Sequence, residues 1–425
     1  MEGLQLANAN RVCIVGGGPA GCFAALHLLR LASQHGLRLE VLIFEPRNFA
    51  QPGPAGCNRC AGILSSRLLH GMERLGLSLP TDVIQAEVRA YAACLDNQVL
   101  RIEQPDPQHH IVSVYRSGGP RRLQGEPLAS FDGHLLAQAC DWGARHLAVR
   151  VRRIDWEDRP VLRTAQGDYV ADLLVLATGV NSRPPLDPVF GYQPPKTMIM
   201  AQDEIIRPDT WPDDQVRIFF KRPAGLMFGA FIPKGKYMSV SLLGRDLRRD
   251  AVHEFIELQG PDAALPAPTV CLCGCTPRIA VSPARHYCGT RWVAVGDAAV
   301  TRLYKDGIGS AFFTAQTAMQ VAVHHGISDR AFQKQYLPFC RGIALDNFYG
   351  SMLFRMWSFL SRTPPLLQAW MTSVNREAAW PLDQRVHNRI LWGMFSGDEM
   401  YRNLFWLALS PAAVVGLAHG WRGAR

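Results

Sequence analysis

The first 45 residues alternate short apolar runs with apolar-periodic stretches. Residues 11–15 (RVCIV) read as a buried strand that breaks at Gly16-Gly17-Gly18-Pro19-Ala20-Gly21, and residues 23–31 then repeat apolar side chains at helical spacing. A second strand-like run, 37–44 (LRLEVLIF), ends at Glu45. Two further buried-strand patterns lie far along the chain: 172–177 (DLLVLA), which runs into Thr178-Gly179, and 292–295 (WVAV), which runs into Gly296-Asp297-Ala298-Ala299. A helical stretch opens at Gly307-Ile308-Gly309 and continues through SAFFTAQTAMQVAVHH. Between these blocks AEVRAYAACL, VRIFF and YMSVSLL alternate like strands of a half-buried sheet. Proline-rich punctuation falls at 184–195 and 261–268, and from about residue 336 the pattern becomes helical and crowded with aromatics. The expectation is an α/β protein with an added sheet-based region and a helical C-terminal region.

The order strand, glycine turn, helix, strand, terminal acid carries the first chemistry. Gly16 allows the tight turn, Gly18 lets the backbone approach a pyrophosphate, and Gly21 lets helix and strand pack closely, while the helix N-terminus, opened by Pro19 and Ala20, supplies unpaired N–H groups and a positive dipole end. Glu45 stands where a carboxylate takes the ribose hydroxyls of an adenosine. A site completed only by Thr178, Gly179 and Asp297, far beyond the first 150 residues, suits a long, folded-back dinucleotide such as FAD.

Composition changes the picture little. The chain has 425 residues, 48% hydrophobic and 19% charged, which excludes disorder as its theme. No run reaches the length of a membrane-spanning helix, and the opening MEGLQLANANR lacks the basic and apolar regions of a secretory leader, so a cytoplasmic protein is expected. A net charge of +9 could point to nucleic acid, but only six of the 45 basic residues are lysine and no basic run exceeds two, so nucleic acid is not an expected partner. Five of the eleven cysteines form two clusters, Cys57/Cys60 and Cys271/Cys273/Cys275. They could hold zinc or an iron–sulfur cluster, form a redox-active pair, or simply pack.

The segments VCIVGGGPAGCFAA, VAVGDAA and GIGSAF resemble the FAD-binding segments of the p-hydroxybenzoate hydroxylase-like flavoproteins. Within that group, CNRCAGILSS, LMFGAFIPKGKYMSVSLLG and the series Arg116, Phe131-Asp132, Leu136-Ala137 resemble the geranylgeranyl reductase family, over roughly residues 10–335. The resemblance implies a glutathione reductase-type, Rossmann-like FAD domain (1–79, 113–183 and 284–335), an inserted substrate domain (80–112 and 184–283) and a helical C-terminal region (336–425). It implies noncovalent FAD held by Gly16, Gly18, Pro19, Ala20, Gly21, Glu45, Arg116, Thr178, Gly179, Asp297, Gly307, Ile308 and Gly309. It places Cys60 and the loop Tyr304-Lys305-Asp306 at the reactive edge of the flavin as candidate catalytic residues; Lys305 and Asp306 could instead pair with each other on the surface.

The chain departs from the pattern where many relatives carry Gly-Ala-Asp-Gly. Here Ala177-Thr178-Gly179-Val180 lacks the acid, which weakens direct reduction by NADPH and favours ferredoxin or quinol as electron donor. The activity implied is reduction of carbon–carbon double bonds in an isoprenoid or other apolar, lipid-like substrate, with a flavin monooxygenase and an electron-transfer flavoprotein acting with a quinone and a cysteine or metal centre as alternatives. The aromatic, arginine-rich segment after 336 is expected either to face a membrane surface peripherally, on its inner side, or to cap the catalytic domains.

Overall fold

The computed structural model describes residues 4–57, 61–95, 98–123, 125–220, 225–244, 247, 250–259 and 273–423. Its centre is a six-stranded sheet in the order Cys288–Gly289, Trp292–Ala294, Leu173–Leu176, Arg11–Val15, Glu40–Phe44, Arg145–Leu147, parallel except for the edge strand Cys288–Gly289. The strands read as continuous apolar runs because both faces are covered. Val12 and Ile14 point into a core shared with the helices Pro19–Gln34 and Gly307–His324. Cys13 and Val15 point the other way, into a core with Ile154 and Leu162 of the antiparallel three-stranded sheet Arg153–Trp156, Pro160–Thr164, Gly167–Val170.

The register places the site. Val15 lies opposite Phe44 and Leu176, and Leu176 opposite Ala294, so the parallel strands end level with one another. Gly16, Glu45, Thr178 and Asp297, up to 281 positions apart in the chain, therefore leave the sheet along one edge, where ligands of open α/β sheets bind.

A second, seven-stranded sheet runs Arg278–Ala280, Thr197–Ile206, Tyr237–Gly244, Leu226–Lys234, Gln215–Phe219, Ala90–Leu95, Gln98–Glu103. Period-two alternation divides its faces: Phe231 and Leu242 pack on Phe255 of the helix Ala251–Gln259, whereas Phe228, Ala230 and Ile232 belong to the core formed with the C-terminal helices. A small antiparallel sheet, Ile63–Leu64, Val112–Val114, Ile84–Glu87, lies beside it, and its middle strand straddles position 112/113.

Five helices close the chain: Leu337–Arg362, Pro364–Glu377, Val386–Ser396, Tyr401–Ala408 and Pro411–Gly423. They are clamped to the sheet edge by polar contacts as well as by Trp357, Trp392 and Phe395. Asn388 exchanges hydrogen bonds with the Glu103 backbone, accepting from its N–H at 2.9 Å and donating to its carbonyl at 2.7 Å, and Arg385 pairs with the Glu103 carboxylate. Buried Glu377 accepts from the backbone N–H groups of His387 and Asn388 and bonds His387 Nδ1 at 2.7 Å. Among the described residues no single helix is long and apolar enough to cross a membrane; the bent pair Tyr401–Ala408 and Pro411–Arg422 meets that length and composition together, across a 51° bend.

Candidate active site

Two clefts share the walls Arg47, Thr178, Asn181 and Ser182 and so form one groove along the strand ends. The outer cleft, about 690 Å³, begins at Gly16, Glu45 and Arg47. The inner cleft, about 230 Å³, is bounded by Gly18, Pro19, Ala20, Arg116, Thr178, Gly179, Asp297, Gly307 and Ile308 on the side of the first sheet, and by the second sheet opposite. Of the residues expected to hold the cofactor, Gly21 and Gly309 lie behind this lining. A Cβ on Gly21 would stand 1.8 Å from the Gly16 carbonyl oxygen, and one on Gly309 would stand 2.3 Å from Asp306 Oδ1. Gly16 sits at φ +106°, and a Cβ there would meet the Ala177 carbonyl oxygen at 2.4 Å. Gly16 and Gly21 thus let backbone pack on backbone, and Gly309 makes room for the Asp306 carboxylate. Gly18 is the N-cap of the helix Pro19–Gln34 and has no side chain with which to satisfy the first-turn N–H groups.

Glu45 is buried and fully engaged. Its carboxylate accepts from Gly17 N–H at 3.0 Å, from Arg47 N–H and Nε at 3.0 Å each, and from Arg47 Nη2 at 3.2 Å. A ribose arriving there shares the carboxylate with Arg47, a residue the motif did not single out. Arg116 is buried against Asp132 through Nε and through Nη2 at 2.9 Å, and Asp132 lies in the first turn of a helix capped by Ser130. Burial pushes the Asp297 carboxyl up, against the opposing pull of Thr301 and Arg116. The Thr178 hydroxyl is buried at the junction of the two clefts without a protein hydrogen-bond partner.

A long dinucleotide fits this donor set. The groove has an acid-and-arginine pair at one end, an uncapped helix N-terminus in the middle and an orphaned hydroxyl at the bend. A second helix N-terminus, at Gly307, stands at the far end, where Asp306 makes no capping bond through its side chain.

Facing that far end is the loop Val300–Asp306. Tyr304 and Asp306 adopt left-handed backbone conformations, φ +65° and +55°, on either side of Lys305. Tyr304 packs edge-on against Phe354, ring centres 5.1 Å apart, and the Lys305 ammonium lies 4.9 Å from the centre of the Phe228 ring. Asp306 Oδ1 accepts from the Ser65 hydroxyl at 2.9 Å. Burial raises the Asp306 carboxyl to about 6, a rise opposed by Arg302, Ser65 and Arg67 and assisted by Asp398. The opposite wall is mostly apolar: Met200, Phe228, Ala230, Ile232 and Ile279 line it together with Gln202, which donates to Ser241 at 2.6 Å, and with Arg278.

Arg302, also missed by the sequence reading, is buried beneath the loop. Its guanidinium donates to the carbonyls of Gly397 and Glu399 and lies 3.9 Å from the centre of the Tyr401 ring. Ser65 comes to the loop from 241 positions away, and Arg302, within the loop, is held by carbonyls 95 and 97 positions away, so no local pattern signals either contact.

Cys60 and Cys271 lie outside the described residues. Cys57 borders the outer cleft, Cys273 donates its N–H to Asp203, and Cys275 pairs through its backbone with Gln202. Burial pushes the Cys273 thiol up to about 12, away from the thiolate needed for metal ligation or redox attack. Among the described residues no group of three or more His, Cys, Asp or Glu side chains is gathered to hold a metal. The zinc or iron–sulfur alternative thus finds no support among the described residues.

The chain as a whole is similar to a geranylgeranyl bacteriochlorophyll reductase-like protein of Thermoplasma acidophilum, at 18% identity over 97% of this chain and 99% of that one, with a TM-score of 0.65. A flavoprotein/dehydrogenase of Cytophaga hutchinsonii aligns at 14% identity over 97% and 98%, TM-score 0.61. A flavin-dependent brominase aligns at 15% identity over 97% of both chains, TM-score 0.59. The fold is that of the FAD-dependent oxidoreductases. No protein-family model and no curated protein matches the sequence.

Proposed function

We propose that the protein binds FAD noncovalently and reduces carbon–carbon double bonds of an isoprenoid or other apolar chain. The observation that carries this reading is the juxtaposition, across one cleft, of the wall Met200, Phe228, Ala230, Ile232 and Ile279 with an acid of raised pKa, Asp306. FAD, when bound, supplies the electron pair. The apolar wall receives the alkene and excludes water from it. Ser65 fixes Asp306 Oδ1, which leaves Oδ2 to hold the proton delivered to the second carbon. A carboxyl that titrates near 6 is matched to that task, because it is protonated often enough to donate and acidic enough to do so readily. Lys305, beside the Phe228 face, would add positive charge to the cleft and so favour an anionic reduced cofactor held there.

Thr178 stands where nicotinamide-using relatives carry an acid, so ferredoxin or a quinol is the proposed electron source. Among the described residues no gathered group of metal-ligating side chains supports the cysteine-centred alternative. Incubating the protein anaerobically with dithionite-reduced FAD and a polyprenyl alcohol, followed by mass spectrometry, tests the reading. A gain of two hydrogens per double bond, lost in Asp306→Ala, is expected. Gain of an oxygen atom only in air and with no hydrogenation would make the enzyme a monooxygenase.

A further inference from the structure

The helix Leu337–Arg362 carries two unlike faces. Inward, Leu353, Phe354 and Trp357 are buried, and Asn347 holds the flavin-side loop by accepting from Leu303 N–H and donating to the Thr301 carbonyl, both at 2.8 Å. Outward, Arg341, Leu345, Phe348, Met352, Arg355, Phe359 and Arg362 follow at spacings of three and four residues, an arc of roughly 100° running about 30 Å along the helix. Leu345, Phe348 and Phe359 are 55%, 60% and 66% exposed. The patch continues sideways: Tyr349 is in ring contact with Phe348, Phe405 and Trp406, and Trp406 is itself 59% exposed. Leu409, Val414 and Val415 extend it along the bent helix pair.

The charge around this patch is one-sided. Within residues 336–423, Asp346 accepts from the N–H groups of Tyr401 and Arg402, Glu377 is bound to His387, Asp398 accepts from Ser66 N–H and Trp392 Nε1, and Glu399 pairs with Arg389. Among the described acids of this region only Asp383 is exposed. Against it, Arg341, Arg355, Arg362, Arg376, Arg402 and Arg422 are exposed, and among the described residues their side chains make no hydrogen bond or ion pair. Aromatic side chains interleaved with unpaired arginines on one outward helix face suit a layer with an apolar interior and an anionic skin.

We infer that this face docks on an anionic lipid bilayer, lying in the headgroup layer rather than crossing it. It rests on the proposed function only in giving an apolar substrate a source. The same helix then joins the bilayer, on its outer face, to the loop Val300–Asp306 on its inner face.

The test uses the flavin-loaded full-length protein and vesicles without substrate, so that its failure and failure of the alkene-reduction assay are separate results. Co-sedimentation is expected with vesicles of phosphatidylcholine containing about one-third phosphatidylglycerol, and little with phosphatidylcholine alone. It should weaken as salt is raised. At about fivefold per removed charge, the triple variant Arg341→Gln/Arg355→Gln/Arg362→Gln should partition roughly 100-fold less. The double variant Phe348→Ser/Phe359→Ser, altering only exposed side chains, should also bind less while keeping its flavin absorbance. Equal binding to both vesicle types, or an unaffected triple variant, overturns the inference. A dimer in light scattering that Phe348→Asp dissociates does so as well, by showing that a second copy covers the stripe.

Discussion

Asp306 is the residue on which stability and chemistry pull against each other. Its carboxyl titrates near 6 in the folded protein against an ordinary 3.8, because burial penalises the charged form more than Arg302, Ser65 and Arg67 favour it. Folding therefore favours the protonated form; that stabilisation is complete below the ordinary carboxyl range and is lost as pH rises through about 6. Measured against a neutral side chain, the charged carboxylate costs about 3 kcal/mol above pH 7 but only about 1.5 kcal/mol at pH 5. Asp306→Asn removes the charge with little backbone penalty, since asparagine tolerates the left-handed conformation at φ +55° and its amide oxygen can still accept from Ser65. Urea unfolding at matched flavin occupancy should show the variant gaining stability over wild type on going from pH 5 to pH 8, by about 1.5 kcal/mol. Its alkene-reducing activity should fall sharply at both pH values. A difference between variant and wild type that is the same at pH 5 and pH 8 would refute the raised pKa, and with it the assignment of Asp306 as proton source.

Gly21→Ala drives a methyl group into the Gly16 carbonyl at 1.8 Å, so it should destabilise by about 2 kcal/mol or more and lower flavin occupancy; thermal unfolding followed with flavin absorbance checks both. Arg116→Met leaves the Asp132 carboxylate buried without its charged partner and should cost about 3–5 kcal/mol, whereas Arg116→Met/Asp132→Leu should recover most of it. NADPH alone should reduce the flavin well below the roughly 10 per second typical of enzyme turnover; stopped-flow bleaching at that rate or faster would restore a nicotinamide donor.

The cofactor groove was legible because its parts sit at strand ends. In a parallel sheet the end of each apolar run is the ligand edge, so local patterns alone bring Gly16, Glu45, Thr178 and Asp297 to one edge. Arg47 escaped that reading although it lies two residues beyond Glu45, because the fingerprint specifies only the acid and leaves its partner open. Ser65 and Arg302 escaped it for a stronger reason: Ser65 reaches Asp306 across 241 positions, and Arg302 is held by carbonyls 95 and 97 positions away. The cysteine clusters were ambiguous in sequence. Close spacing in sequence left metal binding, a redox pair and simple packing open, and in the structure Cys273 is anchored through its N–H to the Asp203 carboxylate and Cys275 through its backbone to Gln202, with no metal-ligating group gathered among the described residues.

The C-terminal helices, separable by composition from everything before them, prove inseparable in structure from the loop at the cofactor's far end. That loop holds two non-glycine residues at positive φ, a conformation worth of order 1–3 kcal/mol of strain at each and one that persists only when its surroundings over-determine it. The over-determination comes from residues 347–401. Asn347 takes two of its backbone groups, the Tyr401 hydroxyl donates to the Leu303 carbonyl at 2.6 Å, Arg302 is drawn onto Tyr401 and the carbonyls of Gly397 and Glu399, and Phe354 supports the Tyr304 ring. By spending five hydrogen bonds on this one seven-residue loop, in addition to their polar contacts with Glu103 at the sheet edge, the helices fix where Lys305 and Asp306 point, so the geometry of the proposed chemistry is set by the same helices whose outer faces carry the exposed arginines.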